Sequence, residues 1–501
     1  MSNLNAGNDL SAGSEQLTTA FDGAQQLRIR LVRTGGSLNW TMSSAHHPER
    51  ADGVAQASGP NPLLDAEVIG AVRAGRGGDA PMGRAVVRPG PACVPDAPLM
   101  VGGSRPLPTD GSSNHVSLVT IDGVDYVHKR YRACSTGPAR ESEALRVLGG
   151  SRTAPELWAE YAYHDPGGDR WPLGLLYRYV PGVGLDVPLR ADLRSQLVAA
   201  LDTGPILLGH TTTGLLRASG ALARSVHELL AAAASNLIGR RQQMAAAPRF
   251  DVATVLAQAG ADLESVLQRL DALPKWARSV VPASKACLRA ELVAIDESAI
   301  GEVRAGPCHG DLHLGQVVVG DTQDPGSVRL IDLSPLSLRS TDADYPRQTP
   351  WQDLVSFQRA LEYFTTQEAH RQVSVVTGLD EDEVSTAAAM GSPLPSPALT
   401  QLRRVEERVA EWRAEAMAAV LTGYGEQAVG RSDPLYRLLY LVRLLHEFRY
   451  DLDHGRHGFI IQNLRHARVF LGQPVNRKGH ASQSSPRVDL PDTLSGSVVN
   501  M

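Results

Sequence analysis

The spacing of apolar and polar residues gives the chain three textures. Residues 1–24 are rich in Ser, Asn and Gly, show no apolar period, and are expected to be disordered. Residues 27–32 alternate apolar and charged side chains as a half-exposed strand does; 64–72 fits a short helix and 84–87 a second strand. The stretches 40–62 and 74–112 are dominated by loop-forming residues, so 25–105 reads as a weakly structured N-terminal module followed by a linker.

After that the pattern sharpens. Residues 116–121 and 125–131 predict two strands joined by Asp122-Gly123, a hairpin turn pair. Residues 140–148 predict a helix with Ala144, Val147 and Leu148 on one face, and 156–163 and 173–179 predict strands. Val180-Pro181-Gly182 ends this β-β-α-β-β segment. Amphipathic helices then follow at 192–201, 216–233, 252–270, 402–424 and 435–452, interrupted by a short hairpin at 308–333. Residues 474–501 are again rich in Ser, Pro and Asp and are expected to be disordered. The division is therefore a small β-rich lobe at 106–182 and a large helical lobe at 183–473.

The interrupting hairpin carries the chemistry. It reads Cys308-His309-Gly310-Asp311-Leu312-His313-Leu314-Gly315-Gln316, then an apolar run, then Arg329-Leu330-Ile331-Asp332. Two short strands around a turn would bring two carboxylates and an amide to one mouth. Phosphoryl transfer from ATP uses that inventory: Asp311 orients an acceptor hydroxyl and takes its proton, while Gln316 and Asp332 supply oxygen ligands to Mg2+ on the phosphates. The plainer alternative, an Asp-capped turn with a buried His, explains His309-Gly310-Asp311 but not the two later residues. His313 is read as structural.

A phosphate-binding cation is expected on the second strand of the small lobe. Lys129 fits, with Glu143 on the following helix as its partner; strand alternation sends Arg130 to the other face. The alternative is a surface Lys and an exposed Glu. Ser113, Asn114 and Ser117, in a turn without the usual glycines, are candidates for phosphate oxygens, and the backbone of Arg178 and Val180 for the adenine edge. For the acceptor, Glu447, Asp451, His446 and Trp351 are available. Glu447 and Asp451 are four apart on one helix face and would favour a cationic acceptor; the alternative is a solvated acidic face paired with Arg443 and Arg449.

Composition narrows the partners. The 501 residues carry a net charge of -5, which offers no nucleic-acid surface. Four scattered cysteines form no metal or disulfide framework, and no run of 18 apolar residues exists, so a soluble cytoplasmic protein without a membrane partner is expected. The oligomeric state is not encoded in these patterns.

Taken together, these residues resemble the aminoglycoside-phosphotransferase-like sugar kinases, in particular bacterial maltokinases and actinobacterial glucosamine kinases. Ser113-Asn114-His115-Val116-Ser117 resembles their phosphate loop, His128-Lys129-Arg130-Tyr131 their lysine strand, and Tyr179-Val180-Pro181 their hinge. His309 to Gln316 resembles their catalytic loop; Pro350-Trp351-Gln352-Asp353-Leu354 resembles a following helix start, and Glu447-x-x-Tyr450-Asp451 a sugar-facing motif. The resemblance implies an α+β, bilobal protein-kinase-like fold with an N-terminal cap, ATP and Mg2+ as cofactors, and a small sugar or amino sugar as substrate. Two features depart from it: Asp332-Leu333-Ser334-Pro335-Leu336-Ser337 replaces the family's Asp-Phe-Glu-Gly-Glu-Pro, and no Trp follows the hinge. An antibiotic-phosphorylating aminoglycoside kinase and a nucleotide-binding pseudokinase are the competing readings.

Overall fold

The structure, a computed structural model, describes residues 15–20, 27–34, 37–44, 79–80, 83–93, 101–107, 114–131, 133–134, 136–137, 140–199, 207–239, 249–273, 281–333, 344–390, 394–425 and 433–471. These fall into two compact units: the described residues of Met1–Pro181 with those of Arg329–Ser337, and the described residues of Gly182–Val328 with those of Leu338–Met501.

The strands of the first unit are, in chain order, β1 (Glu15–Ala20), β2 (Leu27–Thr34), β3 (Ser37–Ser44), β4 (Asp79–Ala80), β5 (Gly83–Pro89), β6 (Val101–Pro106), β7 (Asn114–Ile121), β8 (Val124–Tyr131), β9 (Ala133–Cys134), β10 (Leu157–His164) and β11 (Arg170–Arg178); helix α1 is Arg140–Leu148. They build a four-stranded sheet, β1-β2-β3-β9, and a seven-stranded sheet, β4-β5-β10-β11-β8-β7-β6. The β7–β8 hairpin turns at Asp122 and Gly123, both at positive φ, as the Asp-Gly pair requires. Leu145 and Leu148 of α1 are buried, as are Leu118, Leu157, Tyr161 and Leu175 of the larger sheet.

Two expectations change here. Residues 15–20, inside the stretch expected to be disordered, form β1. The segment expected to be cap and linker supplies β4, β5 and β6 to the larger sheet, where β5 pairs with β10 and β6 with β7. Val101–Pro106 contains two glycines and a proline, so its pairing is set by the neighbouring strand and not by its own alternation. The helix expected at 64–72 and the tail at 474–501 lie outside the described residues.

The second unit is helical: α2 (Asp186–Ala199), α3 (His210–Gly239), α4 (Val252–Leu270), α5 (Val281–Ala294), α6 (Glu297–Ile300), α7 (Trp351–Thr377), α8 (Glu381–Met390), α9 (Ser396–Tyr424), α10 (Pro434–Asp453) and α11 (His457–His466). Strand β12 (Val183–Gly184) pairs antiparallel with β13 (Val317–Val319) just after the candidate loop. The chain then runs through β14 (Val328–Leu330), whose last two residues belong to the first unit. The core of the second unit gathers Leu263, Val266, Leu288, Val355, Leu438, Leu441, Leu444 and Phe448, all essentially inaccessible. Each fully buried aliphatic or Phe side chain contributes roughly 1.5–3 kcal/mol to holding these helices together.

Candidate active site

In the first unit the centre is Lys129, near the end of β8. Its register sets its face: Val116 of β7 and Leu175 of β11 stand opposite it, and the helix that follows reaches over the same side. Lys129 Nζ donates to both carboxylate oxygens of Glu141, at 3.1 and 3.0 Å, and pairs with Oδ1 of Asp332. The Tyr131 hydroxyl donates to Glu141 Oε2 at 2.9 Å. Burial disfavours the Lys129 ammonium, but Glu141 and then Asp332 outweigh it and hold the group charged well beyond the ordinary range. Burial pushes the Glu141 carboxyl up, against the pull of Lys129. Asp332 adopts φ 54°, the left-handed region that Asp tolerates better than most residues, at the turn after β14. A buried cation is thus fixed between a buried acid and a partly exposed one, with 6% and 36% of the two carboxylate side chains accessible.

In the second unit the loop from Cys308 to Gln316 is held from behind by α7. Asp353, fully buried in its first turn, accepts from the backbone N–H of His309 at 2.5 Å and of Gly310 at 2.8 Å. His227 of α3 places Nε2 2.7 Å from the same carboxylate, and its Nδ1 lies 3.0 Å from the Tyr424 hydroxyl at the end of α9. Burial works against ionised Asp353, yet His227 and the loop backbone outweigh it and keep the carboxyl below its usual range. One acid therefore ties three helices to two consecutive loop amides. Beyond that anchor Asp311 projects with 46% of its side chain accessible. Its Oδ1 lies 2.9 Å from Nη2 of Arg443. His313 Nδ1 caps the short turn at Gly315 N–H, and its Nε2 is 3.1 Å from the buried Gln316 amide. Both ring nitrogens of His313 are thus engaged within the loop itself.

Several expected roles are reassigned. The acid that meets Lys129 is Glu141, not Glu143: α1 begins at Arg140, and two residues of helix turn a side chain about 200° away. Ser117 stands opposite His128, so it lies on the face of β7 away from Lys129 and is buried there; Asn114, opposite Tyr131, shares the lysine's face. Ser113 lies outside the described residues. Arg178 donates its N–H to the Glu156 carbonyl at 2.9 Å, and Val180 is half-buried just beyond β11.

The expected acceptor residues are also reassigned. Glu447 presents no solvated acidic face: it binds Arg443, Arg359 and the Tyr363 hydroxyl, with 10% of its side chain accessible. Asp451 is buried and accepts from Asn463 at 3.1 Å. Both acids share one side of α10, as their spacing requires, but that side packs inward. His446 is exposed on the same helix, and Trp351 packs against Tyr424 with ring centroids 6.5 Å apart. Arg449 pairs with Asp262. Glu141, Asp353, His227 and Arg443 were not singled out as site residues by sequence. Glu141 was within reach two positions away, and Arg443 was visible only as a helix partner of Glu447.

An antiparallel sheet with a lysine clamped by a helix carboxylate, in a chain that continues into a helical unit carrying a His-Gly-Asp loop, is the α+β kinase-like fold. No family model and no curated protein sequence matches the chain. Among solved structures it is similar to a glucosamine kinase at TM-score 0.54 and 15% identity, covering 92% of this chain and 96% of that one. A glucosamine kinase in complex with glucosamine, ADP and inorganic phosphate gives TM-score 0.51 and 15% identity, with 92% and 95% covered. At such identity the likeness is one of fold.

Proposed function

We propose that this chain is an ATP- and Mg2+-dependent phosphotransferase that phosphorylates a hydroxyl of a small sugar. The observation that carries the reading is Lys129, a buried ammonium held between Glu141 and Asp332. A lysine ammonium positioned by a buried helix carboxylate is what kinase-like sites use to hold nucleotide phosphates. The solved glucosamine kinase with glucosamine and ADP supports the sugar as acceptor class.

In this reading Lys129 holds phosphate oxygens and Glu141 holds Lys129. Gln316 and Asp332 offer an amide and a carboxylate oxygen, hard donors that suit Mg2+. Among the described residues no group of three His, Cys, Asp or Glu could hold a metal ion alone. Mg2+ at these two donors would take its other ligands from phosphates and water. Asp311 accepts the acceptor hydroxyl's proton as the new O–P bond forms, and ADP leaves with the electrons of the broken bond. The accessible Asp311 side chain, just after the two amides fixed by Asp353, suits a base that must meet a diffusible substrate. No described helix is long and apolar enough to cross a membrane.

A coupled ADP-release assay with ATP and Mg2+ tests this across glucosamine, maltose, glucose, N-acetylglucosamine and several aminoglycosides. Turnover with a sugar, abolished by Asp311→Asn while nucleotide binding survives, is the expected result. Turnover confined to aminoglycosides would move the acceptor to antibiotics. Nucleotide binding with no turnover on any acceptor would sink the catalytic reading.

A further inference from the structure

We propose that Arg443 is a positioning residue that sets the orientation of the Asp311 carboxylate, and that Glu447 and Arg359 hold Arg443 for this purpose. The inference rests on Asp311 being the base of the proposed phosphoryl transfer. Arg443 uses its two ends for different partners: Nη2 meets Asp311 Oδ1 at 2.9 Å, and Nε meets Glu447 Oε1 at 3.0 Å. The other oxygen of Glu447 receives Arg359 through Nη2 at 2.7 Å and Nε at 3.1 Å, with the Tyr363 hydroxyl also at 3.1 Å. Arg359 is itself tied to Glu362, Tyr440 and Asn463.

The side chains grade from inaccessible to accessible along this chain of alternating charge. Arg359 is 1% exposed, Glu447 10%, Arg443 20% and Asp311 46%. An aspartate so exposed would ordinarily sample several rotamers. A guanidinium whose Nε is anchored on Glu447 holds its Nη2 in one place, and the single charge-assisted contact to Oδ1 restricts the carboxylate to rotamers that reach it. It occupies Oδ1, so an acceptor hydroxyl is left to approach Oδ2. An exposed ion pair contributes little to stability. The layered support behind Arg443 therefore makes more sense as orientation of a reacting group than as a surface bridge. It also gives Glu447 a role other than sugar ligand.

The test compares steady-state kinetics of the wild type with Asp311→Asn, Arg443→Met, Arg443→Lys and Glu447→Gln, using the acceptor that turns over, with melting temperatures measured alongside. Arg443→Met is expected to lower kcat about 30- to 100-fold, the scale of a misplaced reacting group, with both KM values within about threefold. Arg443→Lys should recover part of that loss, since it restores the charge without the second anchoring nitrogen on Glu447. Glu447→Gln should lower kcat with KM unchanged even where Arg443→Met folds poorly. A wild type that turns over, with kcat retained in a folded Arg443→Met or in Glu447→Gln, overturns the positioning role and leaves the phosphotransferase reading intact. A wild type without turnover, indistinguishable from Asp311→Asn, overturns both.

Discussion

Two positions along one helix separate Glu141 from Glu143. Glu141 and Glu143 lie on the same short helix, yet only Glu141 is seen to meet Lys129, because β8 and the first turn of α1 bring that face of the helix to the lysine. Glu141→Gln should leave a buried ammonium with half its neutralisation, weakening ATP binding about tenfold, or about 1.4 kcal/mol, whereas Glu143→Gln should change it about twofold or less. Fluorescence titration with a nucleotide analogue separates the two, and equal effects would return the role to Glu143. Asp353 gives a second residue-scale prediction. Removing a buried acid that serves two loop amides and His227 leaves donors unpaired, so Asp353→Ala should cost about 3–5 kcal/mol in chemical denaturation and abolish turnover. Its carboxyl is held below the ordinary value. The stability it supplies is therefore complete above the unfolded carboxylate range and lost as pH falls through the folded value.

Helices α3 and α9 cross in unusually close contact, and two glycines permit it. A Cβ on Gly220 would lie 2.0 Å from the Val420 carbonyl oxygen, and one on Gly423 would lie 1.9 Å from that of Arg217. Alanine normally favours a helix interior by about 1 kcal/mol over glycine. Here the backbone clash outweighs that gain, so Gly220→Ala and Gly423→Ala should each destabilise by roughly 1–3 kcal/mol, read as a lower melting temperature. The crossing also brings Tyr424 to His227, and hence supports Asp353, so turnover should fall in parallel; a melting temperature at or above wild type would contradict the packing. Helix α7 shows why some elements escape sequence reading. Its 27 residues bury Asp353, Arg359, Glu362, Glu368 and His370 beside its apolar positions. A helix whose polar side chains pair inside the protein shows no clean apolar stripe, and only its start was recognisable. By contrast α4, amphipathic in the ordinary way, spans the residues its pattern predicts, 252–270.

Across the whole molecule, buried titratable groups give stability a structured pH dependence. Burial, helped by Arg465, lowers His370 to about 4. Its unfolded value is higher, so the unfolded chain binds the proton first, and stability is lost as pH falls from about 6.5 to about 4. Burial, with Glu447 beside it, pushes Asp451 up to about 7. That group acts in the opposite sense, costing stability above about pH 7 and relaxing as pH falls toward the unfolded carboxylate value. Each contribution is on the order of 2–4 kcal/mol. His370→Phe should therefore gain on the wild type as pH drops from 7 to 5, while Asp451→Asn should show its largest advantage near pH 8. Denaturation curves at both pH values check the signs, and parallel shifts at all pH values would exclude both assignments.

The sequence alone determined the local elements and the inventory of chemistry. Strand alternation, the Asp122-Gly123 turn and the amphipathic period fix β7, β8, α1 and α4, because neighbouring residues supply those signals. The spacing within 309–316 sets Asp311 and Gln316 apart in the same way. Only the tertiary structure decided which acid meets Lys129, that Asp332, 203 residues later, joins the same unit, and that Glu447 faces Arg359 and Arg443 and not solvent. Those choices depend on burial. Desolvation makes an unpaired charge too costly to leave inside, and the partner that satisfies it is chosen by packing between elements distant in the chain.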